Sequence, residues 1–370
     1  MKLLFSFKNL IYNYKQATKR VFTPMTLNKA VMEIRQRIKV RPSPTNEPAA
    51  SWTGVDLVNG TQVKTLTVIF KSAGCRWGKA GGCTMCGYVY DCASEPPSLE
   101  DYKAQLARAM KKAEKFPEFM VKIFTSGSFL DEQEVPSEAR DTILKTLADD
   151  SRVVKVLAET RPNFVTEENV QGCLKILENK PFELAFGLET SSDRIRRDSI
   201  NKGFTFRDFV RAAEIARKNG ATVKAYLMLK PLFLSERQAL EDIIRSIDDA
   251  APYSDTISIN LCNVQKGTLV EALWEKGQYR PPWLWSIVEI LQRAKAAHPD
   301  LPLMSDPVGA GSKRGPHNCK ICSSDVADSL RTFSLTQNPE DLSKIDCECK
   351  ELWRKVLELE DFTYGTPILD

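Results

Sequence analysis

Six apolar runs, most of them separated by a helix-like segment, constrain this chain more than any other feature. They lie at 65–71 (KTLTVIF), 119–125 (FMVKIFT), 153–158 (VVKVLA), 183–188 (ELAFGL), 223–229 (VKAYLML) and 256–262 (TISINLC). The helix-like stretches are 98–116, 136–149, 166–179, 206–219 and 235–250. Ser235 and Gln238 have the spacing of a capping box at the start of the last one, and Gly220 stops the one before it. Runs this continuous belong to strands buried on both faces, as in a parallel sheet with helices outside. Right-handed crossovers then leave an open doubly wound sheet or a barrel. Either arrangement gathers ligands at the carboxyl ends of the strands.

The residues able to do chemistry fall at those ends. After the first run comes the glycine-rich loop AGCRWGKAGGCTMCGY, which carries Cys75, Cys83 and Cys86. Three thiolates on one short loop can hold three irons of a [4Fe–4S] cube and leave the fourth iron open to a ligand. A zinc site that recruits Cys92 as fourth thiolate is the rival. Ser126-Gly127-Ser128 follows the second run, Glu159-Thr160-Arg161-Pro162 the third and Glu189-Thr190-Ser191-Ser192 the fourth. Lys230-Pro231 follows the fifth and Asn263-Val264-Gln265 the sixth. Six strand ends aimed at one place predict a composite site.

The chain of 370 residues, 42% hydrophobic, has room for one large α/β domain with an appendage or for two ordinary domains. Its organisation reads as an N-terminal arm and proline-rich linker over 1–54, a core over 55–275 and a C-terminal module over 276–370. In that module PPWLW (281–285) leads into a helix to about 297. Cys319, Cys322, Cys347 and Cys349 follow as C-x2-C and C-x-C, four thiolates suited to structural zinc or to a second iron–sulfur cluster. His317 is near enough in sequence to replace one of them.

Seven of the ten cysteines lie in two tight groups, which is metal-site spacing rather than a disulfide framework. That spacing implies a reducing compartment, the cytoplasm. With only two histidines, His298 and His317, histidine-based catalysis is disfavoured. No apolar run is long enough to span a bilayer, so no membrane role is expected. The net charge of +4 decides nothing, but basic clusters at 35–41, 111–115, 194–197 and 313–314 leave room for a polyanionic partner. Residues 1–22 contain five basic and no acidic residues. They read as a basic amphipathic or leader-like segment, or as sequence ahead of a start at Met25 or Met32.

The motif order over about 65–270 resembles the radical S-adenosylmethionine (SAM) superfamily, and its tRNA-modifying branch in particular. TSGSF (125–129) stands where that superfamily has its glycine-rich second-strand motif. ETRP (159–162) and GLETSSDRIRRDSINKGFT (187–205) look like the third- and fourth-strand segments of the elongator catalytic subunit. There are departures: seven residues rather than three separate Cys75 from Cys83, Met85 replaces an aromatic residue, and Glu189-Thr190 replaces Gln-Ser. The resemblance implies a partial (β/α)6 TIM-like barrel with a C-terminal metal-stapled module. It implies a [4Fe–4S] cluster on Cys75, Cys83 and Cys86, and SAM held by Ser126, Gly127, Ser128, Glu159, Arg161, Glu189, Ser191 and Lys202. Lys224, Tyr226, Lys230, Asn260, Asn263 and Gln265, near the last two strand ends, either fill the barrel or meet substrate.

NVQKGTLVEALWEKGQYRPPWLW (263–285) and the trailing cysteines are similar to the radical-SAM subunits of archaeosine synthases. That similarity implies a lyase acting through a 5′-deoxyadenosyl radical on a lysine-bearing 7-deazaguanine in the D-loop of tRNA. It implies as partners a lysine-transferring subunit and an external electron donor. The alternatives are a non-catalytic, zinc-rich tRNA-binding subunit and a radical-SAM tRNA-modifying enzyme with a different substrate.

Overall fold

The computed structural model describes residues 24–38 and 43–363. The basic segment over 1–22 therefore lies outside the described residues.

The six predicted runs are strands of one curled sheet: β2 (Thr61–Ile69), β3 (Phe119–Phe124), β4 (Val153–Thr160), β5 (Phe182–Glu189), β6 (Thr222–Leu229) and β7 (Thr256–Leu261). All five pairings between them are parallel and sequential. Helices cross between them on the outside: α2 (Leu99–Met110), α3 (Ser137–Asp149), α4 (Glu167–Leu177), α5 (Phe206–Lys218) and α6 (Glu236–Ala250). This is the expected partial (β/α)6 barrel. The capping box opening α6 is present: Ser235 Oγ accepts from Gln238 N at 3.2 Å, and Gln238 Oε1 from Ser235 N at 3.1 Å. Gly220, at φ +94°, follows the end of α5.

Residues along each strand alternate between two cores. Val121 and Ile123 of β3 face the helices and join the main core, while Met120 and Lys122 face the barrel interior. The main core includes aromatic pairs such as Phe186 against Phe209, edge-on with centroids 5.7 Å apart. Truncating a buried ring of this kind costs about 3–5 kcal/mol.

Two strands were not apparent from sequence. β1 (Ala50–Val58) pairs antiparallel with β2 and begins inside the stretch read as linker. It is an exposed edge on which only Asp56 is fully buried, so it lacks an apolar signature. Its turn did carry a signal: Asn59 and Gly60, at φ +50° and +77°, are the Asn-Gly of a two-residue hairpin. At the other edge, β8 (Leu303–Met304) is too short to show a pattern.

The helices of the C-terminal region complete the barrel wall. They are α8 (Leu284–Ala297), α9 (Ser323–Thr336) and α10 (Cys349–Thr363), preceded by the short α7 (Leu269–Trp274). Both α8 and α10 pack against α6, and α9 packs against β8 and β1, the two sheet edges. Helix α1 (Pro24–Arg35) docks near the cysteine loop.

Candidate functional site

The cysteine loop leaves the end of β2 and is fixed on several sides by hydrogen bonds. Arg35 of α1 donates to three of its carbonyls, Gly78 O at 2.5 Å, Cys86 O at 3.1 Å and Cys83 O at 3.2 Å. The Thr84 hydroxyl donates to Ser199 O at 2.8 Å, and Asn201 Nδ2 donates to Gly82 O at 2.8 Å. From the β7 side, Gln265 Oε1 accepts from Gly87 N at 2.6 Å. Cys75 opens a single helical turn, where its Sγ accepts from Gly78 N at 3.3 Å.

The second-strand loop presses on the first cysteine. A Cβ built on Gly127 would lie 2.6 Å from Cys75 Cβ, 2.8 Å from its Sγ and 2.7 Å from Glu134 Oε2. Only glycine fits there. Glu134 is buried and holds the loop together: Ser72 Oγ donates to its Oε1 at 2.9 Å and Ser128 N to its Oε2 at 2.8 Å.

All three thiols open on one cavity of about 250 Å³ at the carboxyl ends of the strands. Of the predicted residues, Ser126, Gly127, Glu159, Arg161, Glu189, Lys202, Tyr226, Asn260, Asn263 and Gln265 line it, with Met85 and Phe204. Four others do not. Ser128 is fully buried against Thr160, Oγ to Oγ1 at 2.6 Å. Ser191 turns to α6, its hydroxyl donating to Asp249 at 2.6 Å. Lys230 is buried in a pair with Glu236 at 2.8 Å and with Glu360 at 3.1 Å. Lys224 belongs to a second cavity, described below. The cause is simple: a strand-end segment turns only some of its side chains toward this cavity, and sequence does not say which.

Charge in the cavity is concentrated on the β5 side. Lys202 pairs with Glu189 at 2.5 Å, and both are largely buried. Burial works against the lysine charge, but Glu189 and Cys83 together more than restore it, so its pKa lies above the ordinary lysine value. Glu189 has φ +66°, a conformation imposed where β5 bulges against β6. Burial lifts the Glu159 carboxyl to about 7, helped by Glu189 and Glu134 and opposed by Lys202. The Arg161 guanidinium stacks over Phe204 and Trp77, at 5.5 and 5.7 Å from the ring centres.

These residues fit an iron–sulfur cube better than a single ion. Burial pushes the Cys86 thiol up to about 12 and the Cys83 thiol upward as well, so both wait protonated for a metal that takes them as thiolates. Among the described residues the only metal-type group whose ligand atoms all lie within 4.8 Å of one another is the C-terminal one. The loop thiols are therefore spread, as a cube with one thiolate per iron requires. Cys92, the fourth ligand of the rival zinc site, lies outside the cavity, and its thiol reaches Val89 O at 2.9 Å.

Cys319, Cys322, Cys347 and Cys349 do gather. Sulfur–sulfur distances are 3.6 Å for Cys319–Cys322 and Cys319–Cys347, and 3.5 Å for Cys322–Cys349. Trp285 Nε1 donates to Cys349 Sγ at 3.2 Å. Burial opposes the Cys319 thiolate, yet the amides of Cys322 and Ile321 bring that thiol down to about 7. His317 is not part of the group; its Nδ1 lies 2.8 Å from Gly315 O.

The chain is 88% identical over 346 residues to archaeosine synthase subunit beta of Methanosarcina acetivorans, covering 94% of this chain and 100% of that one. It is 45% identical over 311 residues to archaeosine synthase subunit beta of Thermococcus kodakarensis, covering 83% and 96%. The chain belongs to the archaeosine synthase subunit beta family. No family model matches it. Among solved structures, Elp3 of Methanocaldococcus infernus superposes with a TM-score of 0.47 at 17% identity, over 63% of this chain and 59% of that one. The similarity to archaeosine synthase subunits drawn from residues 263–285 and the trailing cysteines is borne out.

Two supports in this subunit-beta chain carry no motif by which sequence reading could find them. Arg35 lies in a segment read as an arm, and Glu134 in a loop with no motif. A second cavity, of about 610 Å³, was also missed, since β1 supplies one wall. It shares Tyr88, Thr125, Glu159, Tyr226 and Asn260 with the first and runs down the barrel interior. Among the described residues no helix is long and apolar enough to cross a membrane.

Proposed function

We propose that this chain is the radical-SAM lyase of archaeosine formation in the cytoplasm. The substrate is a 7-deazaguanine in the D-loop of tRNA that carries lysine through its side-chain nitrogen. The bond broken joins that nitrogen to the lysine carbon, and the nitrogen stays with the base as a formamidine. The observation that supports this reading best is the pair of joined cavities, one bounded by three thiols and the other large enough for a nucleotide arm. The family membership agrees with it.

Cys75, Cys83 and Cys86 hold a [4Fe–4S] cluster, and Ser126, Gly127, Glu159, Arg161, Glu189 and Lys202 surround SAM. Bound there, cluster and SAM supply a low-potential electron and a 5′-deoxyadenosyl radical. The chain's part is to orient and to exclude water. Small residues at 126 and 127 let the backbone approach the ligand, and the Lys202–Glu189 pair offers a cation to a carboxylate and an acceptor to an amine. The four C-terminal thiols hold zinc and fix α10 on the barrel. The lysine-transferring subunit delivers the modified tRNA, and an external donor supplies the electron. RNA affinity rests on phosphate contacts and falls steeply with salt.

The test is anaerobic reconstitution with SAM, a reductant and lysine-modified tRNA, followed by nucleoside mass spectrometry. With deuterium on the lysine carbon beside the nitrogen, label is expected in 5′-deoxyadenosine together with archaeosine. Unlabelled 5′-deoxyadenosine would sink the hydrogen-abstraction step; label without archaeosine would reject the product.

A further inference from the structure

The second cavity has a charged floor. Lys122 of β3 and Lys224 of β6 both reach Asp56 of β1, Lys122 in direct contact and Lys224 at 3.7 Å. Close by, Lys155 and Glu183 pair at 3.1 Å. Lys122 and Lys224 thus share the one Asp56 carboxylate, and the second cation is expensive to bury unless another anion joins it.

Lys224 is the cation with capacity to spare. Its side chain is only 6% exposed. Its nearest acceptors are the Met304 thioether at 3.3 Å, a weak one, and the Asp56 carboxylate beyond hydrogen-bond distance. Asp56 is already held by Lys122, and its carboxyl lies well below the usual range: burial raises it, but Lys224 and Lys122 overcome that. The Lys224 ammonium therefore keeps donors for a ligand in the cavity that it lines.

Its depth suits a particular ligand. Lys224 precedes Tyr226 by two residues on the same face of β6, which is about 7 Å along the strand. Tyr226 and Glu159 form the wall shared with the thiol-bounded cavity. A lysine attached through its side-chain nitrogen has its reacting carbon at one end of a four-carbon stem and its free amino-acid group at the other.

We infer that Lys224, with Lys122 beside it, is a carboxylate-binding subsite on the floor of the second cavity, which receives the free α-carboxylate of the substrate's lysine. This rests on the function proposed above and adds where the arm ends. The subsite makes the enzyme measure the arm: the carboxylate is anchored below, so the carbon beside the nitrogen is presented at the shared wall.

The test compares two tRNAs that differ in one group. One carries lysine on the 7-deazaguanine; the other carries cadaverine, the same arm without the carboxylate. Binding of each to the reconstituted holoenzyme is measured by filter retention, so that phosphate contacts cancel in the ratio. The wild type should prefer the lysine form by about 10- to 100-fold, the range for a charged hydrogen bond. Lys224→Met should bring the ratio to near one, and Lys224→Arg should restore part of it. Lys224→Met leaves the Asp56–Lys122 pair in place; if it nonetheless misfolds, Lys224→Gln serves the same comparison. A variant that keeps the wild-type preference overturns the subsite. So does a wild type indifferent to the carboxylate that still transfers deuterium to 5′-deoxyadenosine. A wild type that neither transfers deuterium nor prefers lysine-bearing over unmodified tRNA removes the functional reading, and the subsite with it.

Discussion

The two cysteine groups solve opposite problems with the same side chain. At 319–349 four sulfurs lie within 4.8 Å of one another, and Trp285 caps one of them. That arrangement saturates a tetrahedral ion and leaves no room for chemistry. At 75–86 the sulfurs are spread around a cavity, and the backbone carrying them is tied down by Arg35, Asn201 and Gln265. On the function proposed, one group folds around its metal, and the other, folded in advance by the barrel, presents its metal. Stability should therefore depend on the C-terminal metal, and reactivity on the N-terminal one.

The sharpest way to break this contrast is to remove one thiol from each group. Cys86→Ala should lose the iron and the brown absorbance of the reconstituted protein, and with them all turnover. Its Tm should move by no more than about 3 °C, the shift for a lost buried contact in a chain of this size. Cys322→Ala should do the reverse: one equivalent of zinc lost, and Tm lowered by about 5–10 °C because metal binding there is folding free energy. Metal analysis and thermal unfolding on the same samples decide. Equal Tm losses in the two variants would remove the distinction.

Gly127→Ala probes the open group without replacing a ligand. The new methyl must displace Cys75 or the Glu134 carboxylate. Overpacking of this kind costs about 1–3 kcal/mol. The cluster should bear most of it, read as iron content falling several-fold on reconstitution while the zinc content stays at the wild-type level.

The contrast also shows what sequence conveys. The six β/α units are readable because strands buried on both faces, such as Phe182–Glu189, are apolar along most of their length. The four C-terminal ligands are readable because a small metal site is local and its spacing is short. The SAM-side residues are only half readable. Ser126 and Ser128 are two apart in one loop, yet one lines the cavity and the other packs on Thr160. The supports are harder still, since Arg35 reaches the cysteine loop across 43 to 51 positions of chain. Lys224 and Asp56 meet only because the sheet curls, which no local pattern encodes.

The smallest expected effect concerns the scaffold behind the open group. Asp242 on α6 supports the loop after β5: Thr190 Oγ1 donates to its Oδ1 at 3.1 Å, while its Oδ2 is buried without a partner. Burial raises this carboxyl to about 6, against the pull of the Thr190 hydrogen bond and of Arg245 and Arg196. The folded state thus holds the proton more tightly than the unfolded chain. Below the unfolded value of 3.8 both states are protonated and the group contributes nothing to the pH dependence. As pH rises from there to about 6 the unfolded chain releases its proton first, so stability falls, and above that range the full cost remains. Asp242→Asn removes the buried charge but brings two donors that need acceptors, so it should recover only about 1 kcal/mol, or about 1–2 °C in Tm, at pH 7.5. At pH 4 the gain should vanish. A gain that is the same at both pH values would mean that packing, not charge, sets the cost. The zinc-type group should not respond to this change at either pH, because a site closed on its own ion does not lean on the barrel that the open one requires.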